Sequence, residues 1–347
     1  MSELVQIDGS MMEGGGQIIR TASAMSVLTQ KPVRIFNIRA NRPQAGLRTQ
    51  HLRGLEATSA VCGGRVEGAR LGSKDVIFYP GKIPGKQIKM VIETAGSVGL
   101  AIQSVMIASM KAREKLMIEI DGGATFGKYA PPLEYIQFVL LPLLRRMGYH
   151  AEINILNHGF YPAGGAKVNM IIEPCCKLKP IDMAEPGKLE EIRVISTASN
   201  ALRKPRVAER QVRSAEEILK KYDVRLDKKT KYSDSLCPGS GLVLVARTEN
   251  GCVLGSDGLG ERGKKAEVVA EEAGEKMKLL LHSRSSVDDF MSDQILPYLA
   301  YCRKNSSFTA PELTMHAETN MEIIKQFLDV EFEIENLGRN IKIDCIH

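Results

Sequence analysis

A single histidine, His316, stands just before a predicted helix in the stretch LTMHAETNMEIIKQFL, residues 313–328. Side-chain alternation places Thr314 and His316 on one face of a predicted strand. Thr319 and Glu322 then predict a capping box for the helix that follows. The positive end of that helix disfavours an imidazolium, and a neutral imidazole is the nucleophilic form. The local residues leave both a structural and a nucleophilic role open.

Two other strand-to-helix loops fall at equivalent positions in the chain. The first contains Arg39 and Arg42 and is followed by Gln50 and His51. This density of guanidinium groups suits bidentate phosphate binding, although a solvated charged edge would have the same composition. The second loop, GGATFGKYAPP, nearly fits a P-loop, but Tyr129 replaces the magnesium-binding hydroxyl and a Walker-type site is not predicted.

The starts of the predicted helices add further polar groups. Glu13, Gln17 and Arg20 are spaced so that they share one helical face if the first helix starts early. Glycines at 14–16 would let a ligand approach the helix N–H groups. In the second helix of this kind, Gln103 stands among apolar neighbours.

A third helix start carries Phe290, Asp293 and Gln294 at i, i+3 and i+4. This spacing presents a ring, a carboxylate and an amide together, a set that could hold a purine and its ribose. A capped amphipathic helix explains the same spacing. The glycine pattern at 258–263 resembles a dinucleotide-binding turn but lacks the acidic residue that should follow, so a simple turn is preferred.

Three segments that share one order of elements would position these loops. Each has a helix, a strand, a polar loop, a second helix and two closing strands, over residues of about 1–82, 83–183 and 285–347. Pro297 predicts a kink in the first helix of the third segment. Residues 184–284 form a predicted inserted α/β domain, so the catalytic domain would comprise 1–183 and 285–347.

Composition bounds the remaining possibilities. The 347 residues carry a formal charge of +6, no Trp and 5% aromatics, which argues against a single-strand binding platform built on base stacking. No long apolar run or signal peptide is evident, so a soluble, cytoplasmic protein without membrane contact is expected. The seven scattered cysteines predict neither disulfides nor a zinc site, and nothing indicates the oligomeric state.

Taken together, these motifs resemble the RNA 3'-terminal phosphate cyclases. The resemblance covers essentially the whole chain and rests on DGSMMEGGGQIIR, IRANRPQAGLRTQHL, ETAGSVGLAIQ, APPLEYI, HGFYPAGGAKV, DFMSDQILP and MHAETN. Ala166 replaces the third glycine of the family signature, a change that affects local turn geometry. The resemblance implies an α/β (α+β) fold of three βαβαββ-type repeats, similar to the C-terminal domain of translation initiation factor 3, with a small inserted α/β domain.

The resemblance also implies a reaction. ATP converts an RNA 3'-phosphate into a 2',3'-cyclic phosphate through a covalent AMP–histidine and an RNA(3')pp(5')A intermediate, with His316 as nucleophile. Glu13 would contact Mg²⁺ or Mn²⁺. The ATP pocket would comprise Gln103, Pro131, Phe290, Met291, Ser292, Asp293 and Gln294. Arg20, Arg39, Arg42, Gln50 and His51 would bind the triphosphate and the RNA end.

Three alternatives remain at this stage. A non-catalytic, cyclase-like protein of ribosome biogenesis would keep the fold and bind RNA without a nucleophile, which the presence of His316 disfavours. An enolpyruvyl transferase would need two sets of three repeats. The third alternative is a plain RNA-binding scaffold. The basic cluster at residues 203–213 could contact RNA, but a solvated helix face is the preferred interpretation of that cluster.

Overall fold

The part of the chain that the structure describes contains four mixed sheets of four strands each. The structure, a computed structural model, describes residues 3–12, 14–83, 87–175 and 177–347. Most of the buried apolar side chains form one continuous core, and a second, smaller core lies between residues 192 and 277.

The first repeat follows the predicted order of elements. It comprises β1 (Val5–Asp8), α1 (Gly16–Thr29), β2 (Val33–Phe36), α2 (Thr49–Cys62), β3 (Arg65–Glu67) and β4 (Val76–Tyr79). The sheet order is β1-β2-β4-β3, and β1 and β2 are its parallel pair. Val33 and Ile35 face the core while Arg34 and Phe36 are less buried, the alternation expected of a strand covered on one face.

The second repeat has the same sheet order, β5-β6-β8-β7. Its elements are β5 (Gln87–Ser97), α3 (Val98–Ala108), a 3-10 turn (Ser109–Lys111), β6 (Leu116–Ala124), α4 (Leu133–Tyr135), a π-helical turn (Ile136–Leu140), α5 (Leu141–Arg146), β7 (Ala151–Asn157) and β8 (Lys167–Ile172). The sequence predicts one helix where α4, the π-helical turn and α5 follow one another. Pro142 has no N–H to donate to the turn before it, which accounts for the widened ladder there.

The insert follows a short strand, β9 (Asp182–Met183). It comprises β10 (Leu189–Ser199), a 3-10 turn (Asn200–Leu202), α6 (Val207–Leu219), a second 3-10 turn (Lys220–Tyr222), β11 (Arg225–Ser233), β12 (Ser240–Thr248), β13 (Val253–Leu259) and α7 (Ala266–Ser283). One face of its β11-β10-β12-β13 sheet packs on α6 and α7 to form the smaller core. On the other face, Val243 and Val245 join the main core.

Glycines let the insert sheet approach the second repeat closely. A Cβ on Gly241 would lie 2.1 Å from the Phe126 ring, and one on Gly255 would lie 2.4 Å from the Tyr135 ring. Both distances are far inside van der Waals contact. The two aromatic rings therefore need glycine at these positions of the insert.

The third repeat surrounds the insert in sequence. It comprises α8 (Asp289–Gln294), α9 (Leu296–Cys302), β14 (Ser306–Ala310), α10 (Met315–Lys325), β15 (Glu331–Asn336) and β16 (Ile341–Ile346). Its sheet contains β9 parallel to β14, and the order β9-β14-β16-β15 repeats that of the first two sheets. The sequence boundary at residue 183 placed β9 in the second repeat, whereas the strand pairs with the third, because a long-range parallel pair leaves no local signal.

The observed architecture confirms the predicted mixed α/β class. Three sheets with one strand order follow from a repeated order of helices and strands, while the division of the chain into domains stays a prediction. None of the described helices is long and apolar enough to cross a membrane. Among the residues that the structure describes, six cysteines are free thiols, namely Cys62, Cys175, Cys237, Cys252, Cys302 and Cys345.

Candidate active site

His316 lies in the first turn of α10 at an exposed position. The helix is capped by Thr314, whose hydroxyl accepts a hydrogen bond from the Ala317 N–H at 3.0 Å. The prediction that His316 lies at the end of a strand is therefore wrong. Pairing in β14 stops at Ala310, and Pro311 has no N–H with which to continue it.

The predicted capping box is wrong for the same reason. Thr319 lies inside α10, where its hydroxyl donates to the Met315 carbonyl at 2.6 Å. Glu322 forms an ion pair with Lys325 at 3.0 Å instead of reaching back to a cap. The helix starts one turn earlier than predicted, and that turn contains His316.

A buried side chain of the first repeat fixes the backbone of this turn. Gln17 is 3% exposed, and its Nε2 donates to the His316 carbonyl at 2.7 Å. This hydrogen bond holds the main chain of the turn. The turn is thus anchored while its side chain points to solvent.

Asn320, one turn further along α10, joins three helices. Its Oδ1 accepts from the Thr21 hydroxyl of α1 at 2.6 Å, and its Nδ2 donates to the Asp293 carbonyl of α8 at 2.9 Å. Pro297 has no N–H to offer that carbonyl and separates α8 from α9, as the predicted kink requires. Because Asn320 is 1% exposed, loss of these bonds would leave buried polar groups unsatisfied.

Arg20 connects α1 to the second repeat. Its Nε donates to Oε1 of Gln103 at 3.0 Å, and both side chains are half-buried. The sequence assigned Arg20 to a phosphate and Gln103 to a nucleotide, and the fold brings the two together. The N-terminal turn of α10, the start of α1 and the middle of α3 therefore lie in one network.

The arginine loop lies between β2 and α2. Arg39 and Arg42 are half-buried there, while Gln50 is exposed in the first turn of α2. The backbones of Asn37 and Arg39 have φ values of 51° and 55°, in the left-handed region that L-residues seldom adopt. Strain of this kind concentrates in loops that bind ligands.

His51 is enclosed by this loop and by the start of α1. Its ring is 2% exposed, its Nδ1 accepts from the Arg48 N–H at 3.2 Å, and a Cβ on Gly16 would lie 2.1 Å from its Nε2. Burial, followed by the positive charges of Arg20, Arg39 and Arg48, lowers the pKa of His51 to about 3. His51 is therefore neutral near pH 7.

The helix α8 begins at a buried carboxylate. Asp288 Oδ1 accepts from the Met291 N–H at 3.0 Å and from the Tyr135 hydroxyl at 2.6 Å, while Oδ2 accepts from the Gly255 N–H at 2.7 Å. Burial raises the pKa of Asp288 to about 7 despite these donors. Phe290 meets the Tyr135 ring edge to face, with 5.5 Å between centroids.

The residues predicted to line the nucleotide pocket differ in accessibility. Phe290 and Asp293 are half-buried, whereas Met291, Ser292 and Gln294 are buried. The Ser292 hydroxyl donates to the Asp289 carbonyl and the Gln294 amide donates to the Phe290 carbonyl. The half-buried pair is thus better placed for a ligand than the three side chains that α8 turns inward.

Pro131 belongs to the second repeat and is buried. A Cβ on Gly99 would lie 2.8 Å from the Pro131 carbonyl, so the loop before α4 packs directly on the start of α3. This contact brings Pro131 to the helix that carries Gln103.

The predicted metal contact, Glu13, lies outside the described residues. The face it was expected to share with Gln17 and Arg20 required an early helix start, but α1 begins at Gly16. Within residues 3–12, 14–83, 87–175 and 177–347, no three His, Cys, Asp or Glu side chains cluster as metal ligands would.

Sequence reasoning did not assign three residues that hold the site together. Thr21 and Asn320 are buried polar residues on otherwise apolar helix faces, and Asp288 precedes the helix that carries Phe290. The sequence did contain a signal for Thr21 and Asn320, because a polar residue on a buried helix face needs a hydrogen-bond partner. The partner could not be identified because Thr21 and Asn320 are separated by 299 positions.

The fold and the site define a class: three α/β repeats of one topology, an insert within the third, and a polar site where helices from all three meet. A family profile described as RNA 3'-terminal phosphate cyclase matches residues 11–334. The chain therefore belongs to the RNA 3'-terminal phosphate cyclase family.

Curated relatives with that name match nearly full length. The protein of Methanopyrus kandleri is 42% identical over 337 residues, covering 95% of each chain. That of Thermococcus gammatolerans is 43% identical over 334 residues, covering 96% of this chain and 95% of its own. That of Caldivirga maquilingensis is 39% identical over 347 residues, covering 98% and 97%.

Proposed function

We propose that this protein is an enzyme that uses ATP to convert an RNA 3'-terminal phosphate into a 2',3'-cyclic phosphate. Family membership supports the overall activity. The observation that carries the proposal for this chain is the anchoring of His316. Its backbone is held by Gln17 and its helix by Asn320, and its imidazole is exposed. In α1, which supplies Gln17, Arg20 is bonded to Gln103.

In the first step, an imidazole nitrogen of His316 attacks the α-phosphorus of ATP. A P–N bond forms, the bond from the α-phosphorus to the bridging oxygen breaks, and pyrophosphate leaves. An oxygen of the RNA 3'-phosphate then attacks the same phosphorus, so that the P–N bond breaks and RNA(3')pp(5')A forms. Covalent catalysis thus divides a difficult activation into two substitutions.

In the last step, the vicinal 2'-hydroxyl attacks the 3'-phosphorus. A new P–O bond closes the cyclic phosphate, AMP leaves with the bridging oxygen, and the hydroxyl proton passes to solvent or a base. AMP is a far better leaving group than the oxide of an unactivated phosphate monoester. This difference explains why adenylylation must precede cyclisation.

The residues of the site suit the charges involved. Phe290 and Asp293 would contact adenosine, with Gln103 and Pro131 on the opposite side and the backbone of Met291, Ser292 and Gln294 behind them. Arg20, Arg39 and Arg42 would bind phosphate oxygens, and Gln50 would donate hydrogen bonds to them. His51, being neutral, would position the start of α1 through Gly16.

The proposal also includes a divalent cation, which would bind together with ATP. Mg²⁺ or Mn²⁺ would accompany ATP, with Glu13 as the protein carboxylate and phosphate oxygens as further ligands. Its chemistry would be to neutralise charge on the phosphates. The RNA partner is one with a 3'-phosphate end, and a cytoplasmic location stays a prediction.

The second candidate is a non-catalytic, cyclase-like protein that binds RNA during ribosome biogenesis. It has no need for an exposed histidine in a turn anchored from two sides. Incubation with ATP labelled at the α-phosphate distinguishes the candidates. The proposed enzyme takes up label through an acid-labile, base-stable phosphoramidate, whereas a binding protein takes up none.

A further inference from the structure

Three large apolar side chains are strongly exposed on neighbouring loops. Tyr129 is 90% exposed, Tyr161 is 80% exposed and Leu236 is 73% exposed. We call these three residues the aromatic strip. Scattered exposed apolar residues are ordinary, but exposed large side chains gathered on neighbouring loops indicate a binding surface.

The loops that carry the two tyrosines pack side by side. The Thr125 N–H donates to the Gly159 carbonyl at 2.9 Å, and the Ala166 N–H donates to the Gly123 carbonyl at 3.1 Å. Beneath the tyrosines, the rings of Phe126 and Phe160 stack with 6.0 Å between centroids. This buried pair supports both loops and fixes their relative position.

Leu236 comes to the same place from the insert. A Cβ on Gly165 would lie 2.5 Å from its Cδ1, so Leu236 rests directly on the loop of Tyr161. The neighbouring Cys237 Sγ donates to the Phe160 carbonyl at 3.2 Å. The strip therefore spans the junction of the second repeat and the insert.

Tyr129 is held outward at a cost. Its φ is 59°, which is strained for a bulky L-residue, and the Gly127–Ala130 bridge closes the turn that enforces it. Lys128 Nζ lies 5.5 Å from the centroid of the Tyr129 ring and 3.6 Å from Oε1 of Glu261, an exposed ion pair that a phosphate can replace. The turn thus presents an aromatic face together with a cation.

One end of the strip lies at the candidate site and the other at basic residues. Tyr129 is two residues from Pro131, in the loop that packs on the start of α3. At the other end, Asn200 Nδ2 donates to Asp234 Oδ1 at 2.6 Å, which ties the loop of Leu236 to residues 200–206. Those residues include the exposed Arg203, Lys204 and Arg206.

We propose that the aromatic strip binds the single-stranded nucleotides that precede the reacting 3' end of the RNA, by stacking bases on Tyr129 and Tyr161. This inference rests on the proposed function. Stacking tolerates any base sequence, and Lys128 at one end with Arg203, Lys204 and Arg206 at the other are complementary to a phosphate backbone. The low aromatic content of the chain does not oppose the inference, because two well-placed rings suffice.

Cyclisation of an RNA of about ten nucleotides with a 3'-phosphate tests this inference. Wild type, Tyr129→Ala, Tyr161→Ala and the double variant are compared in KM, with rates normalised to the protein that ATP labels in the absence of RNA. A second substrate has abasic sugars at the positions just before the terminal nucleotide. Leu337→Ala, which removes a side chain that is 49% exposed in another repeat, is the matched control.

The double variant should raise KM for the intact RNA about 10-fold or more, as expected for loss of base stacking. With wild type, the abasic RNA should have a KM raised by the same factor relative to the intact RNA. With the double variant, the KM for the abasic RNA should equal that for the intact RNA. Tyr→Phe variants and Leu337→Ala should behave as wild type. An unchanged KM in the double variant, or an abasic penalty that persists in it, overturns the inference and leaves the strip to a partner other than RNA.

The same experiment separates the two proposals. If wild type is neither labelled by ATP nor able to cyclise either RNA, the proposed function itself fails. If wild type is labelled and cyclises RNA, but the tyrosines do not affect KM, only the assignment of the strip is wrong.

Discussion

Two repeats begin their second helix with a histidine in the first turn, and the two histidines have opposite surroundings. His51 in α2 is enclosed by arginines and by Gly16, whereas His316 in α10 is exposed and its backbone is held by Gln17. Burial keeps the first imidazole neutral and inaccessible. Exposure leaves the second able to meet a substrate, so accessibility rather than residue type separates the two roles.

The largest expected effect comes from removing the exposed member of this pair. His316→Ala should abolish labelling by ATP and lower cyclisation about 10⁴-fold or more, as loss of a covalent nucleophile commonly does. Measurement of both activities checks this expectation. His282→Ala, which changes an exposed histidine of α7, is the control. Label retained by the His316 variant would exclude His316 as the nucleophile.

The buried member of the pair should affect stability through pH. Between its ordinary pKa of 6.5 and its folded pKa of about 3, His51 takes up a proton only in the unfolded chain. Stability is therefore full above pH 6.5 and falls on acidification, with a slope from this group of about 1.4 kcal/mol per pH unit.

Replacement by an uncharged side chain isolates that slope from other titrating groups. His51→Gln should show a shallower loss of unfolding free energy than wild type between pH 6.5 and 4, measured by denaturant unfolding. Parallel curves for the two proteins over this range would mean that His51 is protonated in the folded state.

Asn320 tests whether the exposed histidine depends on its buried support. Asn320→Ala leaves the Thr21 hydroxyl and the Asp293 carbonyl without this partner, at a cost of about 1–3 kcal/mol in unfolding free energy. Thermal or denaturant unfolding measures the loss, with the exposed Asn154→Ala as control. Equal stability of both variants would show that Asn320 does not hold the three helices.

The smallest effect is expected at the helix cap. Thr314→Ala removes the acceptor of the Ala317 N–H and should lower stability by about 1 kcal/mol, whereas Thr314→Ser should retain it. Unfolding free energies of the two variants make the comparison. If both variants lose the same amount of unfolding free energy, the Thr314 hydroxyl is not the stabilising group.

Local patterns predicted most of this fold because they depend on neighbours in sequence. The apolar stripe of α1, the alternation in β2 and the break at Pro297 follow from side-chain periodicity and proline chemistry. The start of α10 was misplaced because Thr314 and Thr319 both suit a cap, and only the end of pairing at Ala310 decides between them. The pairing of β9 with β14 left no local signal, because a distant strand supplies the partner.

The sequence allowed the residue types of the candidate site to be predicted, but not the hydrogen bonds and contacts between them. Gln103 and Arg20 are recognisable by their polar character among apolar neighbours, but their hydrogen bond crosses 83 positions. The burial of His51 depends on Gly16, which a sequence shows only as one glycine of three. Contacts of this kind come from packing between repeats, and periodicity within one repeat does not contain them.

The bond between Gln17 and the His316 carbonyl also has a consequence for biosynthesis. It joins positions 299 apart in the sequence. A ribosome must therefore synthesise all the residues between them before this turn can dock, and closing so large a loop is slow. The nascent chain thus lacks the anchored turn until residue 316 has been made, and His316 is fixed in place only when the first and third repeats have both folded.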